Sequence, residues 1–206
     1  MNAIRWVRLL VGLFLFALGT VLTLRARLGL SPWDVLADGV RLRTPLSFGE
    51  AVIAIGVVLV VMTFVAGVKP GPGTIANMIF VGSFEDLLLR SGFLEAVIRA
   101  PIAIRVLTCL GGIVTIGLGS ALYIGAQLGA GPRDSLMLAT ARRTRWRIGA
   151  ARAAVEGSAF LAGLALGGTW GLGTVLFAVG IGPAVDLWFR VFRMDAAGRN
   201  RRAEPA

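Results

Sequence analysis

Six long apolar blocks, parted by arginines and turn residues, govern what this chain can become. They run from about Leu9 to Leu24, Phe48 to Val68, Thr74 to Leu89, Ile102 to Leu128, Ile148 to Leu166 and Leu172 to Val191. A helix rises about 1.5 Å per residue and a bilayer's hydrocarbon layer is about 30 Å thick, so blocks of this length read as membrane spans. The third is the weakest, with about 16 residues, or about 24 Å of helix; it also contains Asn77, Glu85 and Asp86. Five spans is therefore the other reading. With 56% hydrophobic and 16% charged residues and a mean hydropathy of +0.81, the chain has too little polar surface to cover a water-soluble globule. The expectation is an all-α polytopic helix bundle in a lipid bilayer, one membrane domain over residues 1–192, followed by a basic tail over 193–206.

The first block follows Arg5 and Arg8 and could be taken for a signal peptide, but its end, Leu24-Arg25-Ala26-Arg27, lacks the small residues of a cleavage site. A matching block recurs at about Ile102 to Ile124, inside the chain. It reads as a retained span.

That recurrence extends along the whole sequence. Shifted by 100 residues, Gly12, Gly19, Gly29, Pro32, Asp34, Leu36, Arg43, Thr44 and Gly49 meet identical residues at Gly112, Gly119, Gly129, Pro132, Asp134, Leu136, Arg143, Thr144 and Gly149. Gly67, Gly71, Gly73, Thr74, Gly82, Asp86, Leu87 and Arg90 likewise meet Gly167, Gly171, Gly173, Thr174, Gly182, Asp186, Leu187 and Arg190. Shared apolar composition would align leucines and alanines; it would not align glycines, a proline, aspartates and arginines in one register. Two copies, 3–90 and 103–190, follow. With three spans each, the second copy enters the membrane from the opposite side, giving six transmembrane helices as two inverted repeats.

The formal charge of +10 suggests a nucleic-acid partner at first sight, but the positive residues lie between and after the apolar blocks, where they set orientation. With the N-terminus inside, Arg5, Arg8, Lys69, the arginines from Arg133 to Arg152, Arg190 and the tail are cytoplasmic, twice as many as Arg25, Arg27, Arg41, Arg43, Arg90, Arg99 and Arg105 outside. Both termini are therefore expected in the cytoplasm. Trp6, Trp33, Trp146, Trp170 and Trp188 lie near block ends, where indole rings favour the headgroups. Arg105 reads as a snorkelling anchor and Asn77 as a helix-to-helix hydrogen bond.

Chemistry is sparse. With no histidine and one cysteine, there is no nucleophile and base pair of the usual kinds, no expected metal site or cofactor, and no expected enzymatic activity. Three repeated elements remain. Leu28-Gly29-Leu30-Ser31-Pro32-Trp33-Asp34 and Leu128-Gly129-Ala130-Gly131-Pro132-Arg133-Asp134 each read as a turn that starts a short helix, with the aspartate near free N–H groups. Either Asp34 and Asp134 only cap these helices, or two half-helices converge on a binding site, with Asp34 and Asp134 as cation or proton contacts and Arg43 and Arg143 as anion or orienting contacts. Gly71-Pro72-Gly73-Thr74 and Gly171-Leu172-Gly173-Thr174 read as hairpin turns. Asp86 with Arg90, and Asp186 with Arg190, stand four apart on a helix and read as structural ion pairs or as a gate. Glu156 lies about 12 Å inside the fifth block, with Gly56 as its counterpart, and must be paired, protonated or facing water.

The repeated Leu-Gly-x-x-Pro-x-Asp-x-Leu, with Gly-x-Gly-Thr at the start of the third span, resembles the YitT/YczE-like family of bacterial integral membrane proteins. The resemblance runs from Arg5 to Phe189. It implies a multi-pass protein of the bacterial inner membrane with no established activity, so it carries over no site residue. Two functions stay open: a small permease for a small molecule or ion with its site between the repeats, and a membrane-embedded regulator or assembly partner whose basic tail and fourth loop bind anionic lipid or a cytoplasmic protein.

Overall fold

The structure is a computed structural model and describes residues 3–194. Every helix or turn of helix among them falls in one order: α1 (Ala3–Ala26), α2 (Pro32–Arg43), α3 (Phe48–Val65), α4 (Pro72–Arg90), a short 3₁₀ turn (Glu95–Arg99), α5 (Ile102–Gly125), α6 (Pro132–Thr144), α7 (Ile148–Ala165) and α8 (Leu172–Val191). Five of these, α1, α3, α5, α7 and α8, are long and apolar enough to cross a membrane. The third block, α4, is a helix of 19 residues but stands outside that group by its composition, the weakness its Asn77, Glu85 and Asp86 foretold. Of the basic tail, residues 195–206 lie outside the described residues. Large apolar side chains such as Val58, Val61, Phe64, Leu107, Leu161 and Val179 point outward, more than half exposed. Such a surface suits a lipid solvent and would be untenable in water.

Two helices, α1 and α5, form the spine. Gly12 lies against the Gly119 to Tyr123 stretch and Gly19 against Gly112 to Ile116, so the helices run antiparallel. Glycine is required here: a Cβ on Gly19 would sit 2.6 Å from the Gly112 carbonyl oxygen, and one on Gly119 would sit 2.7 Å from the Gly12 oxygen.

Each end of the spine is closed by the other helix. Arg5 Nε donates to the Ala126 carbonyl at 2.8 Å and its guanidinium also to Gln127, while Arg105 donates to Ala26 at 2.8 Å and to Arg27 at 2.7 Å. The last carbonyls of a helix lack intrahelical partners and carry the negative end of its dipole, which a guanidinium complements. Arg105 is thus a cap on α1, a more specific role than a snorkelling anchor.

Beyond the caps the two chains turn alike. Arg27 and Gln127 have φ of 50° and 55°, and Gly29 and Gly129 have φ of 112° and 126°, so both turns pass through the left-handed region at the same positions. They deliver α2 and α6, which pack on the opposite halves: α2 on α7 and α6 on α3. Gly163 meets the backbone of Val35 and Leu36, where a Cβ would lie 2.6 Å from the Leu36 nitrogen.

Candidate functional site

The Gly-x-Gly-Thr turns hold the ends of the short helices in place. Gly73 N–H donates to the Leu128 carbonyl at 2.8 Å and Gly173 N–H to Leu28 at 2.5 Å; Thr74 Oγ1 donates to the Ala130 carbonyl at 2.6 Å. Each turn of one half is therefore completed by the other half. The hairpin reading of these motifs accounts for their glycines but not for this cross-bonding. Its one sequence signal was the paired recurrence of both motifs.

Proline at N1 then starts both helices. Ser31 at the N-cap accepts the Asp34 N–H at 3.3 Å and donates its own hydroxyl to Asp34 Oδ2 at 2.6 Å. Gly131 adopts the same extended backbone, with φ −59° and ψ 161° against −62° and 157° for Ser31, but has no side chain to satisfy Asp134. Tyr123 of α5 does so instead, donating its hydroxyl to Asp134 Oδ2 at 2.6 Å.

Between the two helix starts lies a cavity of about 160 Å³. Ser31 to Trp33 of one half and Gly131 to Asp134 of the other share its wall with Tyr123, Asn77, Arg152 and Glu156. Arg133 is the pivot. Its guanidinium stands 5.5 Å from the centre of the Trp33 ring, and Nη2 is 3.6 Å from Asp34 Oδ1. These are equivalent positions in the register of 100, so a tryptophan of one copy stacks on the arginine of the other. Arg133, expected as a cytoplasmic loop charge, belongs to the site instead. Trp33, expected at the headgroups, is 8% exposed and packs against Leu59, Val155 and Ala159.

The other expected residues divide. Asp134 and Glu156 line the cavity; Asp34, 2% exposed, lies directly behind Ser31 and Trp33. Glu156 accepts from Arg152 at 2.8 Å. Asn77 of α4 faces this space as well, its side chain beside Gly131 at the start of α6. Arg43 and Arg143 do not reach it. The short helices lead outward, placing residue 43 about 13 Å along the axis from residue 34; Arg43 caps α7 through the Leu166 carbonyl at 3.2 Å, and Arg143 is exposed at the end of α6.

The two acid and arginine pairs also part company. Asp86 stands 3.5 Å from Arg90, but that arginine is largely exposed, and the stronger partners of Asp86 are the Ser47 hydroxyl and the Gly49 N–H, the latter at 2.9 Å. Asp86 therefore fastens α4 to the start of α3. Asp186 is exposed and forms no ion pair with Arg190 among the described residues. At that position the second half is open: Gly49 and Gly82 touch through their backbones, while a Cβ on Gly149 or Gly182 would meet nothing within 4 Å.

The comparisons with known proteins bear on the chain as a whole. The description "Family of unknown function (DUF6198)" matches residues 3–190. The chain belongs to this family. Among DUF6198-like relatives, it is 35% identical to an uncharacterized protein of Haemophilus influenzae over 89% of this chain and 82% of the relative. It is 34% identical to the uncharacterized membrane protein YczE of Bacillus subtilis over 85% of this chain and 81% of the relative. The uncharacterized protein YyaS of the same organism is 26% identical over 93% and 96%. No solved structure matches the chain. The YczE-like resemblance of the motifs therefore stands, and this DUF6198 chain is a multi-pass membrane protein.

Proposed function

We propose that this protein is a small permease of the bacterial inner membrane, working by alternating access through the cavity between its halves. In this reading α4 is the sixth span, at 19 residues or about 28 Å. Composition undercounts it because its two carboxylates turn into the protein: Glu85 is buried and Asp86 is bound to α3. The halves are inverted repeats, and both termini are cytoplasmic. Reciprocal contacts support this, since Arg5 to Ala126 and Arg105 to Ala26, and Gly73 to Leu128 and Gly173 to Leu28, are related by the same offset and a two-fold between antiparallel helices.

One observation carries the transport reading: two half-helix starts from opposite halves meet at a single cavity lined by unlike charges. Charged groups around a space inside an apolar bundle are costly to maintain and suit a ligand that must shed its water. Asp134 and Glu156 balance Arg133 and Arg152 on the wall, and Asp34 behind it adds a third carboxylate, which favours a small cation or a solute moving with a proton. At about 160 Å³ the space suits a solute of few atoms. The clasp between Gly49 and Gly82 closes one side, while its counterpart at Gly149 and Gly182 is open, as one state of a two-state carrier would be.

Uptake and efflux profiling in a deletion strain complemented with Asp34→Asn, Asp134→Asn and Glu156→Gln tests the proposal. We expect a solute whose accumulation depends on the wild-type protein and falls at least tenfold in one or more variants that are still inserted in the membrane. If all three restore the wild-type profile, the site is wrong. The regulator reading has support from the exposed arginine run Arg142, Arg143, Arg145 and Arg147, which suits an anionic surface. It gains if deletion alters no solute flux.

A further inference from the structure

Glu85 is fully buried, and neither of its carboxylate oxygens has a hydrogen-bond partner. Asp34 Oδ1 is likewise buried without one, although Arg133 stands 3.6 Å away. These three oxygens are the only buried side-chain polar atoms in this condition among the described residues. They are linked through packed elements: α4 lies against α1 and α6, and Arg133 of α6 is the group that stands beside Asp34, while Asp86 follows Glu85 on α4. The one acid of α3 is Glu50, whose carboxylate accepts the Ser47 N–H at 2.7 Å. A bare carboxylate enclosed in this way would cost several kcal/mol and needs a proton or a cation.

The register of 100 says what this niche is. Thr20, Ser31, Asp34 and Glu85 correspond to Ser120, Gly131, Asp134 and Val185, and all four of the latter line the cavity. Of the four, only Ser31 reaches the cavity in the first half; Thr20, Asp34 and Glu85 form a sealed niche where the second half has open wall, and that niche holds the additional carboxyl. Glu85 itself stands outside the cavity wall. A metal ion would need several oxygens at about 2.0–2.6 Å and room for its own volume, beside an arginine that already supplies positive charge. A proton needs neither.

We propose that Glu85 is a proton-binding site that exchanges with the cavity through Asp34. In the exchange, the O–H bond on a Glu85 oxygen breaks and a new one forms on Asp34 Oδ1. Glu85 becomes the anion and Asp34 the neutral acid. Asp34 then no longer holds Arg133 by charge, and the guanidinium over Trp33 is released to the cavity or drawn toward Glu85. Proton movement and the charge lining the cavity are thereby linked. That link rests on the permease reading; proton occupancy of Glu85 does not.

Infrared spectroscopy of the purified full-length protein in detergent tests it, following the C=O stretch of protonated carboxyl groups at neutral pH. The wild type is expected to show such a band. Glu85→Gln should lose it, Glu85→Asp should shift its frequency, and Glu156→Gln should leave it in place. Should Glu85→Gln fail to fold, Glu85→Asp decides. A wild type without the band, or a band unmoved by both Glu85 variants, overturns the proposal. Solute profiling judges the permease reading separately, since the band can be present whether or not any flux depends on the protein.

Discussion

Gly49 and Gly82 cross with their backbones in contact: a Cβ on Gly49 would lie 2.0 Å from the Gly82 carbonyl oxygen. The nearest atom is backbone, which cannot swing aside as a side-chain end can, so α3 and α4 cross in close contact. Asp86, bonded to the first turn of α3, locks the crossing. The equivalent glycines of α7 and α8 have nothing near them, and this difference fixes the first expectation.

Gly82→Ala should destabilise the protein by about 1–3 kcal/mol, because the added methyl has to force the helices apart. Gly182→Ala, facing open space, should change stability by no more than about 0.5 kcal/mol. Thermal unfolding in detergent measures both, and equal effects would contradict the asymmetry.

If the open side closes during transport, Gly149 should approach Gly182, and Arg147, in the place of Ser47, should come to Asp186. In a Cys109→Ala background, cysteines at 47 and 86 should cross-link, and cysteines at 147 and 186 should cross-link in a second population. Formation of the first pair alone, under every solute condition, would leave a static bundle.

The pairing of Arg133 with Asp34 should be strongly coupled. Removing Arg133 leaves a buried carboxylate without its counter-ion, so Arg133→Gln should cost about 1–3 kcal/mol, more than Arg142→Gln on the exposed face of α6. In the double variant with Asp34→Asn much of that loss should return. A double-mutant cycle on unfolding temperature would show additive effects if the two did not interact.

If the halves are inverted as proposed, the loops after α2 and α6 lie on opposite sides of the membrane. Cysteines introduced singly at positions 41 and 141, in the same cysteine-free background, should react with an impermeant maleimide from opposite faces. Reaction from one face would end the inverted arrangement.

Much of this architecture is written in the chain at the level of periodic blocks and their recurrence. The apolar lengths gave the helices, and Ser31-Pro32 and Gly131-Pro132 marked the starts of α2 and α6 within a residue. What escaped was direction in space. Arg133 has the composition of a loop charge, and only the packing of α6 on α3 turns it inward over Trp33. Glu85 looked like a blemish in a weak span, since nothing in a linear pattern says that a carboxyl sits in a sealed niche. Arg43 and Arg143 mislead the other way: their recurrence suggests a shared role at a site, whereas about two and a half turns of helix carry them away from it.

The turn bonds have a consequence for synthesis. The carbonyl of Leu28 waits for the amide of Gly173, near the far end of the chain, and that of Leu128 needs an amide made much earlier, on Gly73. The turn at Leu28 is therefore completed only by a residue at the start of the last described helix, so the bonds that join the two ends of the chain form after nearly all of it has been made.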